Sequence, residues 1–191
     1  MVFVGLLANT VSAATTLDNL VAAYSGEMNA HARYLAFARQ ADKEGYTQVA
    51  SLFRAAARAE FIHAENHAAV IRGLGGKPEV TVASPEVKST RENLKVAIEG
   101  ESYERDTMYP QFIEQARRDR NREAIKTFNF ARTAEASHAK FYQQALDNLE
   151  SWRGEKKSFY VCNVCGETLT ELPSEKCPSC FSPREEFEMV N

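Results

Sequence analysis

Cysteine is missing from the first 161 residues of this 191-residue chain, and the whole of it holds only nine glycines and six prolines. A disulfide scaffold is thereby excluded for most of the length. With 27 alanines and so few helix breakers, the composition points to a mostly helical protein. Neither sign of charge dominates: 23 Lys and Arg stand against 26 Asp and Glu, a net −3. That balance lacks the basic field which would advertise nucleic acid or an anionic membrane as a partner. Nor is there an apolar run of the ~20 residues that a transmembrane helix needs. The opening stretch, residues 1–8, is short and contains Gly5. Val11-Ser12-Ala13 resembles a signal-cleavage site, but no positively charged residue precedes it, so a cytoplasmic location is expected.

What the chain does have is a block of cysteines near its end. Cys162-Asn-Val-Cys165 and Cys177-Pro-Ser-Cys180 are two C-x2-C pairs separated by eleven residues. Each short knuckle can offer two sulfurs to one ion, which suits a tetrahedral thiolate site. Two disulfides in a secreted mini-domain are the alternative, and a long cysteine-free partner argues against it. Spacing alone does not separate iron from zinc.

Ahead of the cysteines, hydrophobic periodicity and breakers predict four long helices, at 17–44, 47–72, 90–118 and 122–151. Thr16 or Asp18 is expected near the first cap, and Thr90-x-x-Asn93 at the start of the third helix. Gly73, Gly75, Gly76 and Pro78 end the second helix, and residues 77–89 read as an extended crossover. Two short turns and one long middle connection imply two antiparallel hairpins joined by that crossover. The expected fold is therefore mainly α, a four-helix bundle of ferritin-like connectivity. Residues 154–158 form a polar linker to the cysteine module. The expected organisation is an N-terminal segment of unassigned role (1–15), a bundle (16–153) and a cysteine domain (154–191).

The two hairpins repeat each other. Gly26-Glu27 is echoed by Gly100-Glu101, and Glu60-x-x-His63 by Glu135-x-x-His138, at offsets of 74 and 75 residues. Residues three apart lie side by side on a helix, and Phe53, Ala56 and Ala59, like Phe128, Ala131 and Ala134, turn these pairs toward the core. A buried carboxylate without a cation or proton is heavily penalised. Glu27, Glu60, Glu101, Glu135, His63 and His138 thus form a candidate metal cluster, with Glu104 a fifth carboxylate on the same face. One Glu from each of two helices plus Glu-x-x-His from each of the other two is the known donor pattern of di-iron and di-manganese carboxylate bundles. Any one such pair alone reads as a solvated helix pair. His31 and His67 read as solvated or supporting residues rather than ligands.

Taken together, the sequence resembles the rubrerythrins, in which a ferritin-like di-iron bundle precedes a rubredoxin-like four-cysteine iron domain. The resemblance rests on Gly26-Glu27 followed by Arg33-Tyr34, on Glu60-x-x-His63, and on Gly100-Glu101-x-x-Glu104 leading to Met108-Tyr109-Pro110. Glu135-x-x-His138 and the two cysteine knuckles complete it. It implies Glu60 and Glu135 as bridging carboxylates, Glu27 and Glu101 as terminal ligands, and His138 as a permanent ligand. His63 and Glu104 are implied as alternates that exchange with redox state, and Tyr34 and Tyr109 as hydroxyls bonded to ligand carboxylates. Pro110, shared by the family, should kink the third helix or remove one of its backbone hydrogen bonds. Phe181, after the last cysteine, departs from the small residue usual in rubredoxins.

The activity so implied is a peroxidase: hydrogen peroxide is reduced to water, which protects against oxidative stress. Electrons come through the iron of Cys162, Cys165, Cys177 and Cys180 from an external reductase or rubredoxin-type protein, in an NADH-linked scheme. The chain has no Gly-x-Gly-x-x-Gly of its own for NADH. The implied cofactors are two non-haem irons in the bundle, where manganese or zinc can substitute, and one iron at the cysteines, where zinc can. A homodimer that sets the cysteine iron of one subunit near the di-iron site of the other is also implied. Two other readings stay open: ferritin-like iron oxidation and storage, and a non-redox zinc ribbon serving as an interaction module.

Overall fold

The computed structural model describes residues 14–191; nearly all of the N-terminal segment set apart by sequence falls outside the described residues. Helix α1 (Thr16–Lys43) begins at a capping box in which Thr15 and Asp18 exchange side-chain and backbone hydrogen bonds, one residue before the expected cap. Gly45, at φ +79°, turns the chain into α2 (Thr47–Gly73). The crossover then leads to a second capping box, Ser89 with Glu92, which starts α3 (Thr90–Tyr103). The predicted third helix is not continuous. It passes through a π turn, Glu104–Met108, into α4 (Tyr109–Arg118). Pro110 sits in the first turn of α4, where its missing N–H is tolerated. Asn121 caps α5 (Arg122–Asp147), which ends earlier than expected because a short 3₁₀ turn, Leu149–Trp152, follows it.

Small residues set the helix spacing. Ala55, Ala56, Ala57 and Ala59 of α2 are fully buried, which lets α1 and α5 approach closely. The apolar interior divides into two clusters. One gathers Tyr34, Phe37, Phe53, Tyr142 and Trp152; the other gathers Leu20, Ile71, Tyr109, Ile113 and Phe128. Between them lies a layer of buried carboxylates and imidazoles.

After the linker, three short antiparallel strands, β1 (Phe159–Cys162), β2 (Thr168–Leu169) and β3 (Phe187–Val190), form a sheet in the order β2-β1-β3. Phe159 packs edge-on against Phe141 of α5 at 5.9 Å, so the module shares the core of the bundle. Asn66 donates to the Val164 carbonyl at 2.9 Å, and Arg58 reaches Asn163 and Glu188, each at 2.8 Å. Among the described residues no helix is long and apolar enough to cross a membrane.

Candidate metal centres

Four helices contribute to the polar layer. Glu27 comes from α1, Glu60 and His63 from α2, Glu101 from the end of α3, and Glu135 and His138 from α5, all at most 1% exposed. Glu60 turns Oε2 to His63 Nδ1 at 2.9 Å and Oε1 to His138 Nδ1 at 3.3 Å. Glu135 does the same with its two oxygens, at 3.5 and 3.6 Å. Each of these two carboxylates therefore spans the space between two imidazoles. Glu27 lies 3.9 Å from His63 Nδ1, and Glu101 lies 3.4 Å from His138 Nδ1. The outcome is two donor groups, Glu27/Glu60/His63/Glu135 and Glu60/Glu101/Glu135/His138, each with its ligand atoms within 4.8 Å of one another.

These groups fit a pair of metal ions on a test internal to the protein. Five buried carboxylate oxygens (Glu27 Oε2, Glu60 Oε1, Glu101 Oε2 and both of Glu135), along with His138 Nδ1, have no hydrogen-bond partner. Buried acceptors in that number call for cations or protons. Electrostatics agree. Burial, then the charge of Glu60, pushes the Glu27 and Glu101 carboxyls above the ordinary range. Burial opposes ionisation of Glu60 too, but the His138 and His63 imidazoles beside it outweigh it and hold that carboxyl low. Four carboxylates balance two divalent ions.

Glu104 stands apart. It opens the π turn, is only partly shielded from solvent, and belongs to neither donor group, whereas His63 belongs to one. Burial, then the charges of Glu101 and Glu60, raise its carboxyl well above the usual range.

Hydroxyls tie the terminal carboxylates down, each from the other hairpin. Tyr34 of α1 donates to Glu101 at 2.7 Å, and Tyr109 of α4 donates to Glu27. Burial keeps both phenols protonated. His67 is fully buried rather than solvated, and burial, then the charge of His63, lowers its pKa to about 3. Its Nε2 lies 3.1 Å from the Tyr109 hydroxyl and its Nδ1 3.0 Å from Thr127 Oγ1. Since Tyr109 spends its proton on Glu27, it accepts from Nε2–H, and Nδ1 of the neutral ring accepts from Thr127. A one-way chain of hydrogen bonds thus fixes Tyr109. His31 stays outside the cluster, with Nδ1 2.7 Å from the Ala57 carbonyl and its ring 5.5 Å from Phe61.

The four cysteines converge as well. Sγ of Cys162 and Cys180 are 3.7 Å apart, and those of Cys165 and Cys177 are 3.6 Å apart. A tetrahedron with metal–sulfur bonds of about 2.3 Å has edges of roughly 3.8 Å, so the sulfurs fit one ion. Hydrogen bonding from Cys165 holds the Cys162 thiol down at about 5. Phe181 is 73% exposed at φ +62°, and its N–H goes to the Cys177 carbonyl at 3.0 Å rather than to sulfur.

Unforeseen from the sequence is where the module sits. His63 Nε2 lies 3.2 Å from the Cys165 carbonyl, and His138 Nε2 lies 3.0 Å from Thr168 Oγ1. Both imidazoles thus point Nδ1 at the carboxylates and Nε2 at the cysteine module of the same chain. The module thus reaches the cluster within one chain.

A sequence model of the rubrerythrin family matches residues 18–146. The chain belongs to the rubrerythrin family. It is similar to nigerythrin from Nitratidesulfovibrio vulgaris, with 40% identity over 91% of this chain and 85% of that protein. Rubrerythrin-2 from Clostridium acetobutylicum is 38% identical over 94% of this chain and 98% of that one. A structure of fully reduced, all-ferrous nigerythrin superposes with a TM-score of 0.86 at 38% identity, covering 96% of this chain and 91% of the other. The bundle also superposes on a Mycobacterium tuberculosis bacterioferritin with a TM-score of 0.65 at 21% identity, a likeness of fold alone. The ferritin-like bundle and the four-cysteine module are thus those of this family.

Proposed function

We propose that this rubrerythrin-family chain is a non-haem di-iron peroxidase of the cytoplasm, protecting against oxidative stress. Hydrogen peroxide is its substrate, and its electrons come through the four-cysteine iron from an external reductase or rubredoxin-type protein. The observation that carries this reading is the pair of buried donor groups sharing Glu60 and Glu135, with both imidazoles in contact with the cysteine module. When bound, the iron pair supplies two electrons to hydrogen peroxide, which with two protons becomes two waters; the cysteine iron exchanges electrons singly.

The chain's own residues set up this chemistry. Glu60 and Glu135 would bridge the two metals, Glu27 and His63 would complete one position, and Glu101 and His138 the other. Glu104, on its π turn beside the cluster, is the alternate to His63. Tyr34 and Tyr109, held protonated by burial, keep Glu101 and Glu27 aimed inward as hydrogen-bond donors. The flanking apolar clusters exclude bulk water, which strengthens every charge interaction between them. The contact between the Cys165 carbonyl and His63 Nε2 joins a cysteine of the thiolate site directly to the bundle cluster, and supports a relay through it.

Iron-loaded protein, reduced without oxygen and mixed with hydrogen peroxide, should be oxidised rapidly. Glu60→Ala combined with His138→Ala should abolish that reaction. Unchanged turnover in the double variant would overturn the assignment.

A further inference from the structure

One buried acid takes no part in either metal cluster. Glu167, two residues past Cys165, is 4% exposed. Among the described residues no lysine or arginine pairs with it. Its carboxylate is instead held by two hydroxyls from different parts of the molecule. Ser137 Oγ of α5 donates to Oε1 at 2.6 Å, and Ser179 Oγ, between Cys177 and Cys180, donates to Oε2. The backbone carbonyl of Glu167 accepts from the Cys162 N–H at 2.9 Å. A single residue therefore ties together both cysteine knuckles and the turn of α5 that carries His138.

The repeat shows that this junction is particular to one half of the bundle. Ser137 precedes His138, and its counterpart before His63 is Ile62, an apolar residue 5% exposed. The second hairpin has a hydroxyl where the first has none, and that hydroxyl is spent on Glu167. Charge-assisted hydrogen bonds to a buried carboxylate are strong and directional. They fix the segment whose neighbours Cys165 and Thr168 touch His63 and His138.

We infer that Glu167 is a positioning residue, a clasp that locks the cysteine module onto the bundle so that electrons cross between the two metal centres. This rests on the reading of the cysteine iron as an electron relay. The step is the passage of one electron from the ferrous cysteine site to an oxidised bundle iron, after peroxide has taken two electrons and two protons to give two waters.

The test uses the full chain, iron-loaded and fully reduced, mixed with one equivalent of hydrogen peroxide in a stopped-flow instrument. The rise of ferric–thiolate absorbance reports the electron leaving the cysteine site. Glu167→Ala and Ser137→Ala should each slow that rise by about tenfold or more, the scale on which loss of a charge-assisted hydrogen bond shifts a docking equilibrium. Glu167→Gln, which can still bond both serines, should restore most of the rate. A second readout needs no turnover: in zinc-filled protein, both alanine variants should be cut faster in the linker, residues 153–158, by limited proteolysis. Ser137 lies outside the module, so its variant carries the test if Glu167→Ala loses metal. An unchanged rate and unchanged cleavage in Ser137→Ala would overturn the clasp. If wild type itself shows no ferric–thiolate rise, the relay reading fails, while the cleavage comparison still decides the clasp.

Discussion

Without metal, Glu135 should weaken the protein that carries it. It is fully buried and neither of its oxygens has a hydrogen-bond partner. A buried polar atom left unsatisfied costs roughly 1–3 kcal/mol, so the two together cost about 2–6 kcal/mol. Replacing buried ionic groups by apolar ones of similar volume is known to stabilise by about 1–4 kcal/mol. Glu135→Leu should therefore raise the stability of protein stripped of bundle metal by about 2–4 kcal/mol. For a chain of this size that is on the order of 5–15 °C in melting temperature. The assay is thermal unfolding followed by circular dichroism, with the cysteine site kept filled by zinc. Adding Fe(II) without oxygen should then raise the wild-type midpoint and leave that of the variant where it was. Glu114→Leu, an exposed control on α4, should move neither. A metal-free Glu135→Leu protein that melts below wild type would refute the reasoning, because it would mean the carboxylate is satisfied by the protein alone.

Three further outcomes follow from the same geometry. His67 is held neutral, with a pKa of about 3 against an ordinary 6.5, so the unfolded chain binds the extra proton between those values. Its contribution is intact above pH 6.5 and is lost as the pH falls; between pH 8 and pH 5, wild type should lose about 2 kcal/mol more than His67→Gln in urea titrations. Equal losses would show that His67 is not held neutral. Gly166, at φ +78°, would place a Cβ 2.2 Å from His63 Nε2. Gly166→Ala should cost roughly 2–4 kcal/mol, or free the module for faster linker cleavage; wild-type behaviour in both would mean the contact is loose. Phe53, fully buried among Tyr34, Phe37 and Tyr142, should cost about 3–5 kcal/mol when cut to alanine. A loss below about 1 kcal/mol would show that the cluster closes over the gap.

Much of this fold is written in local signals. Gly45, the run from Gly73 to Pro78 and the polar turn before α5 mark the helix ends because each breaks the 3.6-residue pattern, and the long middle connection fixes the hairpin order. The polar layer is legible because Glu-x-x-His recurs among small apolar neighbours. What short-range pattern does not carry is contact between distant segments. Nothing near His67 reveals Thr127, and nothing near Glu167 reveals Ser137. For that reason the sequence leaves His67 open between a solvated and a supporting role: its partners lie on α4 and α5. The interrupted third helix did leave a trace. Glu27 and Tyr34 are seven residues apart in the first hairpin, whereas Glu101 and Tyr109 are eight apart in the second.

That surplus residue falls in the π turn, and it decides how far the two halves of the bundle can be alike. A regular helix turns about 100° per residue, so an eight-residue spacing would swing Tyr109 well away from the direction Tyr34 takes. The wide turn absorbs the excess, and Tyr109 still meets Glu27 as Tyr34 meets Glu101. It also hosts Glu104, whereas the matching stretch of the first hairpin offers only Asn29 and Ala30. The duplicated halves are thus made unequal at one spot, and one metal position gains an acidic neighbour that its twin lacks. Deleting a single residue between 105 and 107 would restore the seven-residue spacing of the first hairpin and take away the wide turn from which Glu104 meets the cluster.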